Sequence, residues 1–232
     1  MTTNVPTIAV GVRRVPHTGF SNAYIVELED RNLVIVDTGT PGKENKVLDF
    51  VASLGKRPSD VSYIILTHSD GDHSGSAAAL KKLTGATLAI GELDVPRLSG
   101  EKKLKEASGL GRVMVGIFGR MMKVENIKPD LELKDGSSLG SLLIVGTPGH
   151  TDGSICVYKP GEAIFVGDLL RTNSSGKLKL ASANMSRDME QVRRSVEKIS
   201  KLEFQGLMPG HGKPIEEDAS KMLREFVANG FR

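Results

Sequence analysis

Short apolar runs recur along the chain, and most of them are rich in β-branched residues. Such runs, bounded by glycine, proline or polar residues, are typical of β-strands. The pattern predicts strands at Ile8–Val12, Asn22–Leu28, Leu33–Asp37, Val61–Leu66, Thr87–Ile90, Leu142–Val145, Ile155–Tyr158 and Ala163–Val166.

Between several of these runs, apolar residues recur at the spacing of an α-helix, which places them on one face. This spacing predicts helices over Lys43–Leu54, Ser74–Leu83, Arg187–Leu202 and Glu216–Ala228. The strands and helices fall into two groups that divide near residue 130. We therefore expect an α/β protein whose sheets are covered by helices.

The 232 residues contain no internal repeat and no low-complexity linker, which favours one domain spanning residues 1–232. Residues 101–128 differ from the rest, because the charged stretch EKKLKE is followed by GLGRVMVGIFGRMM, with apolar residues at helical spacing. We interpret this segment as a helical insertion or cap. Its apolar face indicates first a helix that covers the core. The alternatives are that residues 109–122 cover the mouth of a site or form an oligomer contact, and a homodimer is a further expectation.

Charge, targeting signals and cysteine content indicate the partners and the cellular location to expect. Lys and Arg total 31 against 28 Asp and Glu, and the two signs are interleaved, so a nucleic-acid partner is not expected. The first residues lack the order of a signal peptide, and no apolar run is long enough for a membrane span. The single cysteine, Cys156, excludes an intramolecular disulfide and is interpreted as a small core residue. These features favour a cytoplasmic protein without a membrane partner.

Four of the five histidines lie beside glycine or aspartate in turns that follow strands. The run Thr67-His68-Ser69-Asp70-Gly71-Asp72-His73 follows an apolar strand, so several potential ligands emerge on one turn. Later turns of similar character carry His150, Asp168 and His211. Imidazoles and carboxylates without cysteine suit Zn, Fe or Mn. One such histidine alone would be an ordinary polar residue, but their joint occurrence predicts a metal site.

These motifs, in this order, resemble the metallo-β-lactamase superfamily of metal-dependent hydrolases over nearly the whole chain. The resemblance rests on Asn22-Ala23-Tyr24, on the segment Leu33 to Gly39, on the Thr67–His73 run and on the later turns with His150, Asp168 and His211. It implies a four-layer αββα sandwich with a metal site at one edge of the paired sheets.

The resemblance also implies a ligand set for two divalent cations. One cation would be held by His68, Asp70 and His150, the second by Asp72, His73 and His211, and Asp168 would bridge both. Asp37 resembles the buried aspartate with which the family braces its ligand loops. The usual cluster is His-x-His-x-Asp-His, and Asp70 stands where the second histidine is expected. Iron and manganese therefore stand beside zinc as expected cofactors.

The function that the resemblance implies is hydrolysis of an ester-like bond in a small-molecule substrate by a metal-bridged hydroxide, with Asp72 as general acid and base. Thioesters and lactones rank ahead of phosphodiesters because the chain lacks a basic stripe. Arg171 and Lys177 are expected to meet an anionic group of the substrate. Two alternatives stay open: a diiron oxidoreductase resembling the flavo-diiron proteins, which also place an acid at the position of Asp70, and a metal-bound protein without catalytic activity.

Overall fold

The computed structural model describes residues 11–30, 32–102 and 124–232. Residues 109–122, predicted to cover the site or form an interface, lie outside the described residues, as does most of the predicted strand Ile8–Val12. Within the described residues, the first strand runs from Val12 to Val15.

The strands, in chain order, are β1 (Val12–Val15), β2 (Ala23–Glu27), β3 (Leu33–Val36), β4 (Val61–Leu66), β5 (Thr87–Gly91), β6 (Leu131–Leu133), β7 (Ser138–Leu139), β8 (Leu142–Gly146), β9 (Ile155–Lys159), β10 (Ala163–Gly167), β11 (Leu170–Thr172), β12 (Leu178–Leu180) and β13 (Gly206–Pro209). The α-helices among the described residues are α1 (Glu44–Ser53), α2 (Gly71–Ser74), α3 (Ala77–Thr84), α4 (Val95–Leu98), α5 (Met189–Ile199) and α6 (Ala219–Ala228). None of them is both long and apolar enough to cross a bilayer.

Two sheets carry most of these strands. The first has the order β1-β2-β3-β4-β5-β6, and the second has the order β13-β10-β9-β8-β7, while β11 and β12 form a separate hairpin. Strands β3 to β6 pair in parallel, and in the second sheet only β10 and β13 do so among the described pairs. Parallel neighbours end at the same edge of a sheet, so the loops that follow them emerge side by side.

The apolar side chains form three layers of core. Tyr24 and Val26 of β2 pack between the sheets, against residues of the second sheet such as Phe165. The alternate residue Ile25 faces the opposite way, into the core that α1 and α3 cover. A third core lies between the second sheet and helices α5 and α6. Since side chains alternate across a strand, each sheet buries both faces. The predicted αββα sandwich is confirmed.

Three helix predictions need correction, and the simplest concerns Glu216–Ala228, which begins only at Ala219. The predicted helix Ser74–Leu83 is two helices, α2 and α3, because the backbone leaves helical geometry at Ser76, where φ is −102° and ψ is 7°. The predicted helix Arg187–Leu202 begins only at Met189. Asp188 is the N-cap of this helix, because its side chain accepts hydrogen bonds from the backbone N–H groups of Glu190 and Gln191.

Strands β6, β7, β11, β12 and β13 were not predicted from the pattern, because they are short and depend on pairing for their conformation. The most important is β13. It pairs in parallel with β10, so the turn with His211 emerges beside the turn with Asp168.

Cys156 lies in β9 and is fully buried. Burial raises the pKa of its thiol to about 12, so the thiol is protonated at neutral pH. Its prediction as a core residue is confirmed.

Candidate metal centre

Side chains from four loops converge at one edge of the paired sheets. The turn after β4 contributes His68, Asp70, Asp72 and His73, and the loops after β8, β10 and β13 contribute the remaining three. His68, His73 and His150 are buried, whereas the others keep partial access to solvent. All seven residues predicted as metal ligands are brought together: His68, Asp70, Asp72, His73, His150, Asp168 and His211.

His68, Asp70 and His150 form one group. Asp70 Oδ2 lies 3.1 Å from His150 Nε2 and 3.8 Å from His68 Nε2. The three donor atoms lie within 4.8 Å of one another, close enough to share one ion. Asp70 therefore directs an oxygen toward the two imidazoles.

Asp72, His73 and His211 form a second group. Asp72 Oδ2 lies 3.3 Å from His211 Nε2 and 3.6 Å from His73 Nε2. The two imidazole Nε2 atoms are 3.5 Å apart. This group also offers three donor atoms within 4.8 Å of one another.

Asp168 lies between the two groups. One of its carboxylate oxygens faces the first group and the other faces the second group. Asp168 Oδ2 lies 3.6 Å from His150 Nε2, in the first group. Asp168 Oδ1 lies 3.1 Å from His73 Nε2 and 3.2 Å from His211 Nε2, in the second. Gly210 permits this approach, because a Cβ at that position would lie 2.7 Å from Asp168 Oδ1.

The four imidazoles share one orientation, with Nδ1 bonded outward and Nε2 facing the cluster. The Nδ1 contacts are His68 to Thr67 Oγ1 (3.0 Å), His73 to Asp37 Oδ2 (2.8 Å), His150 to Ser186 Oγ (3.3 Å) and His211 to the Phe20 carbonyl (2.9 Å). A ring that donates its Nδ1–H presents the lone pair of Nε2 inward, as metal-binding histidines do.

Asp37 braces the cluster without belonging to it. Its carboxylate accepts hydrogen bonds from the Thr67 backbone N–H (2.8 Å) and the Thr67 hydroxyl, in addition to its contact with His73. Asp37 is buried and adopts a left-handed backbone conformation, with φ of 57°. This turn at the end of β3 aims the carboxylate at the ligand loop, as predicted for Asp37.

Asn22 and Tyr24 hold the loop with His211, a role that the sequence did not reveal. The Asn22 side-chain amide donates to the Pro209 and Gly212 carbonyls, both at 2.9 Å, and the Tyr24 hydroxyl donates to the Pro209 carbonyl at 2.7 Å. The signal was present, since both residues belong to the motif Asn22-Ala23-Tyr24, but their partners are far along the chain.

Burial and neighbouring charges shift the pKa values of the clustered histidines. Burial lowers the pKa of His68 well below its ordinary value, and the neighbouring His73 lowers it further. Burial opposes the protonation of His211 as well, but hydrogen bonds with Asp168 and Asp72 outweigh it and raise the pKa of His211 to about 9. A divalent cation would displace that proton, because metals bind imidazole in its neutral form.

The donor set fits divalent metal ions. His68 Nε2 is buried, and within the described residues it has no hydrogen-bond partner, although such an atom normally has one. Four imidazole nitrogens and three carboxylates are the donors that Zn, Fe and Mn accept. The residues present could therefore hold two such ions.

Arg171 and Lys177 lie elsewhere. They line a cavity of about 340 Å³ together with Lys179, Phe231, Arg232 and the leucines of β12. None of the seven clustered residues lines it. The substrate contact expected of Arg171 and Lys177 stays a prediction.

Comparisons with known proteins identify the family and agree with the fold. A family model described as the metallo-beta-lactamase superfamily matches residues 18–211. The uncharacterized protein YobT of Bacillus subtilis (strain 168) is 30% identical over 210 residues, which cover 87% of each chain. The probable metallo-hydrolase YflN of the same organism is 25% identical over 215 residues, covering 84% of this chain and 81% of YflN.

Solved structures show the same fold. The metallo-beta-lactamase family protein TTHA1429 from Thermus thermophilus has a TM-score of 0.71 at 23% identity, over 95% of this chain and 79% of its own. TTHA1623, solved in a di-iron-bound form, has a TM-score of 0.66 at 24% identity, over 89% of this chain and 92% of its own. The family match, the sandwich and the ligand cluster lead to one conclusion: this chain belongs to the metallo-beta-lactamase superfamily.

Proposed function

We propose that this protein is a metallohydrolase that binds two divalent cations and cleaves an ester-like bond. Membership of the superfamily supports a metal-dependent hydrolase in general. The observation that carries the proposal is the common orientation of the four imidazoles, each with Nδ1 bonded outward and Nε2 facing one or two of the three clustered carboxylates.

In this proposal the two groups are two metal subsites. The first subsite consists of His68, Asp70 and His150, and the second consists of Asp72, His73 and His211. Asp168 would contribute to both subsites, a role supported by the placement of its two oxygens near different groups.

When bound, two such cations supply a nucleophilic hydroxide near neutral pH and polarise the oxygen of the scissile bond. Asp72 is the proposed general acid and base. Its carboxylate is 19% exposed, so substrate and water can reach it. Burial raises the pKa of Asp72, but His73 and the hydrogen bond with His211 outweigh burial and hold it below its ordinary value. Asp72 is therefore ionised at neutral pH, which is the form that can accept a proton, and in this proposal it passes that proton to the leaving group.

The charge of the site favours a neutral acyl substrate. Two divalent cations contribute +4, while three carboxylates and one hydroxide contribute −4, so the inner charge is zero. Such a site has no excess positive charge to attract a phosphodiester anion. A thioester or a lactone is therefore the preferred substrate class.

The test combines metal analysis with a panel of thioesters, lactones and a phosphodiester. We expect wild-type protein to hydrolyse a thioester or lactone, and chelation to abolish the activity. Asp72→Asn should lower kcat by about 100-fold or more when measured at saturating metal, a condition needed because Asp72 also belongs to the second subsite and its loss should weaken metal binding there. Hydrolysis that survives both chelation and Asp72→Asn would refute the proposal.

A second candidate, a diiron oxidoreductase, is favoured by one observation. Asp70 supplies an oxygen donor where the usual motif has histidine. Sites with carboxylate donors suit iron better than sites with imidazole donors alone. The similar fold of TTHA1623 was solved in a di-iron-bound form. Consumption of oxygen or nitric oxide by iron-loaded protein with a flavin-based reductant, together with inactivity on the whole ester panel, would select this function. A metal-loaded protein inactive in both assays would instead be the non-catalytic alternative.

A further inference from the structure

Asp94 is a fully buried carboxylate at the end of the short 3₁₀ turn that follows β5. Its Oδ2 accepts hydrogen bonds from the Ser69 backbone N–H (2.8 Å) and the Thr151 hydroxyl (2.9 Å). Its Oδ1 accepts one from the Gly153 backbone N–H (3.0 Å). A carboxylate is costly to bury unless its oxygens are bonded in this way. Asp94 therefore accepts three hydrogen bonds within the fold, and Arg97 Nη1 lies 4.0 Å from its Oδ1 as a further ionic contact.

The donors that Asp94 binds belong to two separate segments of the proposed metal centre. Ser69 lies between His68 and Asp70, and Thr151 directly follows His150. His68, Asp70 and His150 are the three residues proposed to form the first metal subsite. One carboxylate thus joins the segments that carry all three.

These segments also pack closely against Asp94, in addition to donating hydrogen bonds to it. A Cβ at Gly153 would collide with the Asp94 backbone nitrogen, so only glycine fits at this position without a shift. The connection also differs from that of Asp37, which contacts the ring of His73 in the second group. Asp37 also reaches the first group indirectly, through the Thr67 hydroxyl that bonds His68 Nδ1, whereas the hydrogen bonds of Asp94 reach only the segments that carry the first group.

We propose that Asp94 is a positioning residue for the first metal subsite. It holds the turn with His68 and Asp70 against the turn with His150, at the separation that lets their side chains bind one cation. It acts through the Ser69, Thr151 and Gly153 contacts, without touching the cation or the substrate. The inference rests on the proposed function, because it presupposes two metal subsites.

The first test is Asp94→Asn, titrated with Zn²⁺ in competition with a chromophoric chelator. Asparagine keeps the size of the side chain, but its NH₂ group cannot accept a hydrogen bond from a backbone N–H. We expect one of the two Zn²⁺ equivalents to bind about 10-fold to 100-fold more weakly, the usual effect of losing a group that orients metal ligands. Glu92→Gln is the matched control, because Glu92 belongs to the same turn and pairs with the exposed Lys134.

Double variants identify the subsite. His211→Ala should retain one Zn²⁺ equivalent, bound at the first subsite, and adding Asp94→Asn should weaken the binding of that remaining ion. If His211→Ala binds its ion equally well with and without Asp94→Asn, Asp94 does not act on the first subsite and the inference is wrong.

A matched pair at Thr151 tests the same network with the carboxylate intact. Thr151→Val removes the hydroxyl donor and nearly preserves shape, whereas Thr151→Ser keeps the donor. We expect Thr151→Val to weaken one Zn²⁺ site and Thr151→Ser to keep wild-type affinity. This pair decides the question if Asp94→Asn does not fold, and equal affinity in both variants then overturns the inference. Unfolding of the metal-free proteins, followed by circular dichroism, separates lost affinity from lost folding.

Failure of the two proposals gives different results. If the wild-type protein binds none of Zn²⁺, Fe²⁺ and Mn²⁺, the proposed function fails, and the inference fails with it. If the wild-type protein and Asp94→Asn bind two equivalents with the same affinity, only the role of Asp94 is refuted.

Discussion

The Asp37 carboxylate lies 2.8 Å from Nδ1 of His73, and both side chains are buried. Asp37 directly follows β3, and His73 lies in the short helix α2 after β4, so the contact joins the segments that follow two parallel neighbouring strands. The contact fixes which nitrogen of His73 carries the proton and leaves Nε2 to face the cluster. Through it, a residue outside the ligand set controls the orientation of one within it.

Replacing Asp37 with asparagine should weaken metal binding by about 10-fold to 100-fold at the subsite that contains His73. Asparagine has a single acceptor oxygen, which cannot serve both Thr67 and His73 as the carboxylate does. Competitive Zn²⁺ titration measures the loss. Asp49→Asn, an exposed change on α1, is the control. Equal affinities in the two variants would show that Asp37 does not orient His73 for metal.

His73→Ala or His211→Ala should remove most of one metal equivalent and leave the fold largely intact. Stability rests on the packed strands, whereas these side chains lie in loops at the ends of strands. Metal analysis and far-UV circular dichroism together measure the two effects. The exposed His17→Ala serves as the control. Unchanged stoichiometry in both variants would mean that the site assignment is wrong.

Asp70→His should shift metal preference toward zinc. With aspartate the inner charge is zero, and with histidine it becomes +1, so bound water should be more acidic in the variant. Oxygen donors also suit iron and manganese better than imidazole does. We expect native protein to hold proportionally more iron or manganese, and the activity profile of the variant to move to lower pH. Identical metal content and pH profiles would show that Asp70 is not a ligand.

Asp130 should contribute stability that depends on pH. The hydrogen bond from Lys81 Nζ (2.6 Å), supported by the Leu88 backbone N–H, holds the pKa of Asp130 below its ordinary value. A pKa that is lower in the folded state stabilises the protein above the unfolded pKa and loses this effect as pH falls through the folded pKa.

Asp130→Asn should therefore reduce the free energy of unfolding near neutral pH by less than about 1 kcal/mol, since the side chain is partly exposed. The difference from wild type should shrink as the pH falls to about 3. Urea unfolding at both pH values measures it. Glu132→Gln, on the exposed face of β6, is the control. A difference that does not change with pH would contradict the prediction.

Much of the architecture and the members of the site follow from the sequence. The central strands are apolar runs buried on both faces, so their pattern predicts them without knowledge of their partners. The short strand β13 has no such pattern, since its conformation comes from pairing with β10. Helix boundaries also depended on single contacts, such as the Asp188 cap of α5.

The sequence by itself determined which residue types are available for chemistry: four histidines and three aspartates in turns that follow strands, with aspartate at position 70. Tertiary structure alone decided how they are arranged. It placed the oxygens of Asp168 toward different groups, bonded each imidazole Nδ1 outward, and brought Asp94 to Ser69 and Thr151. These relationships join residues far apart along the chain. Local pattern contains no information about such pairs, because the packing of two sheets sets their separation.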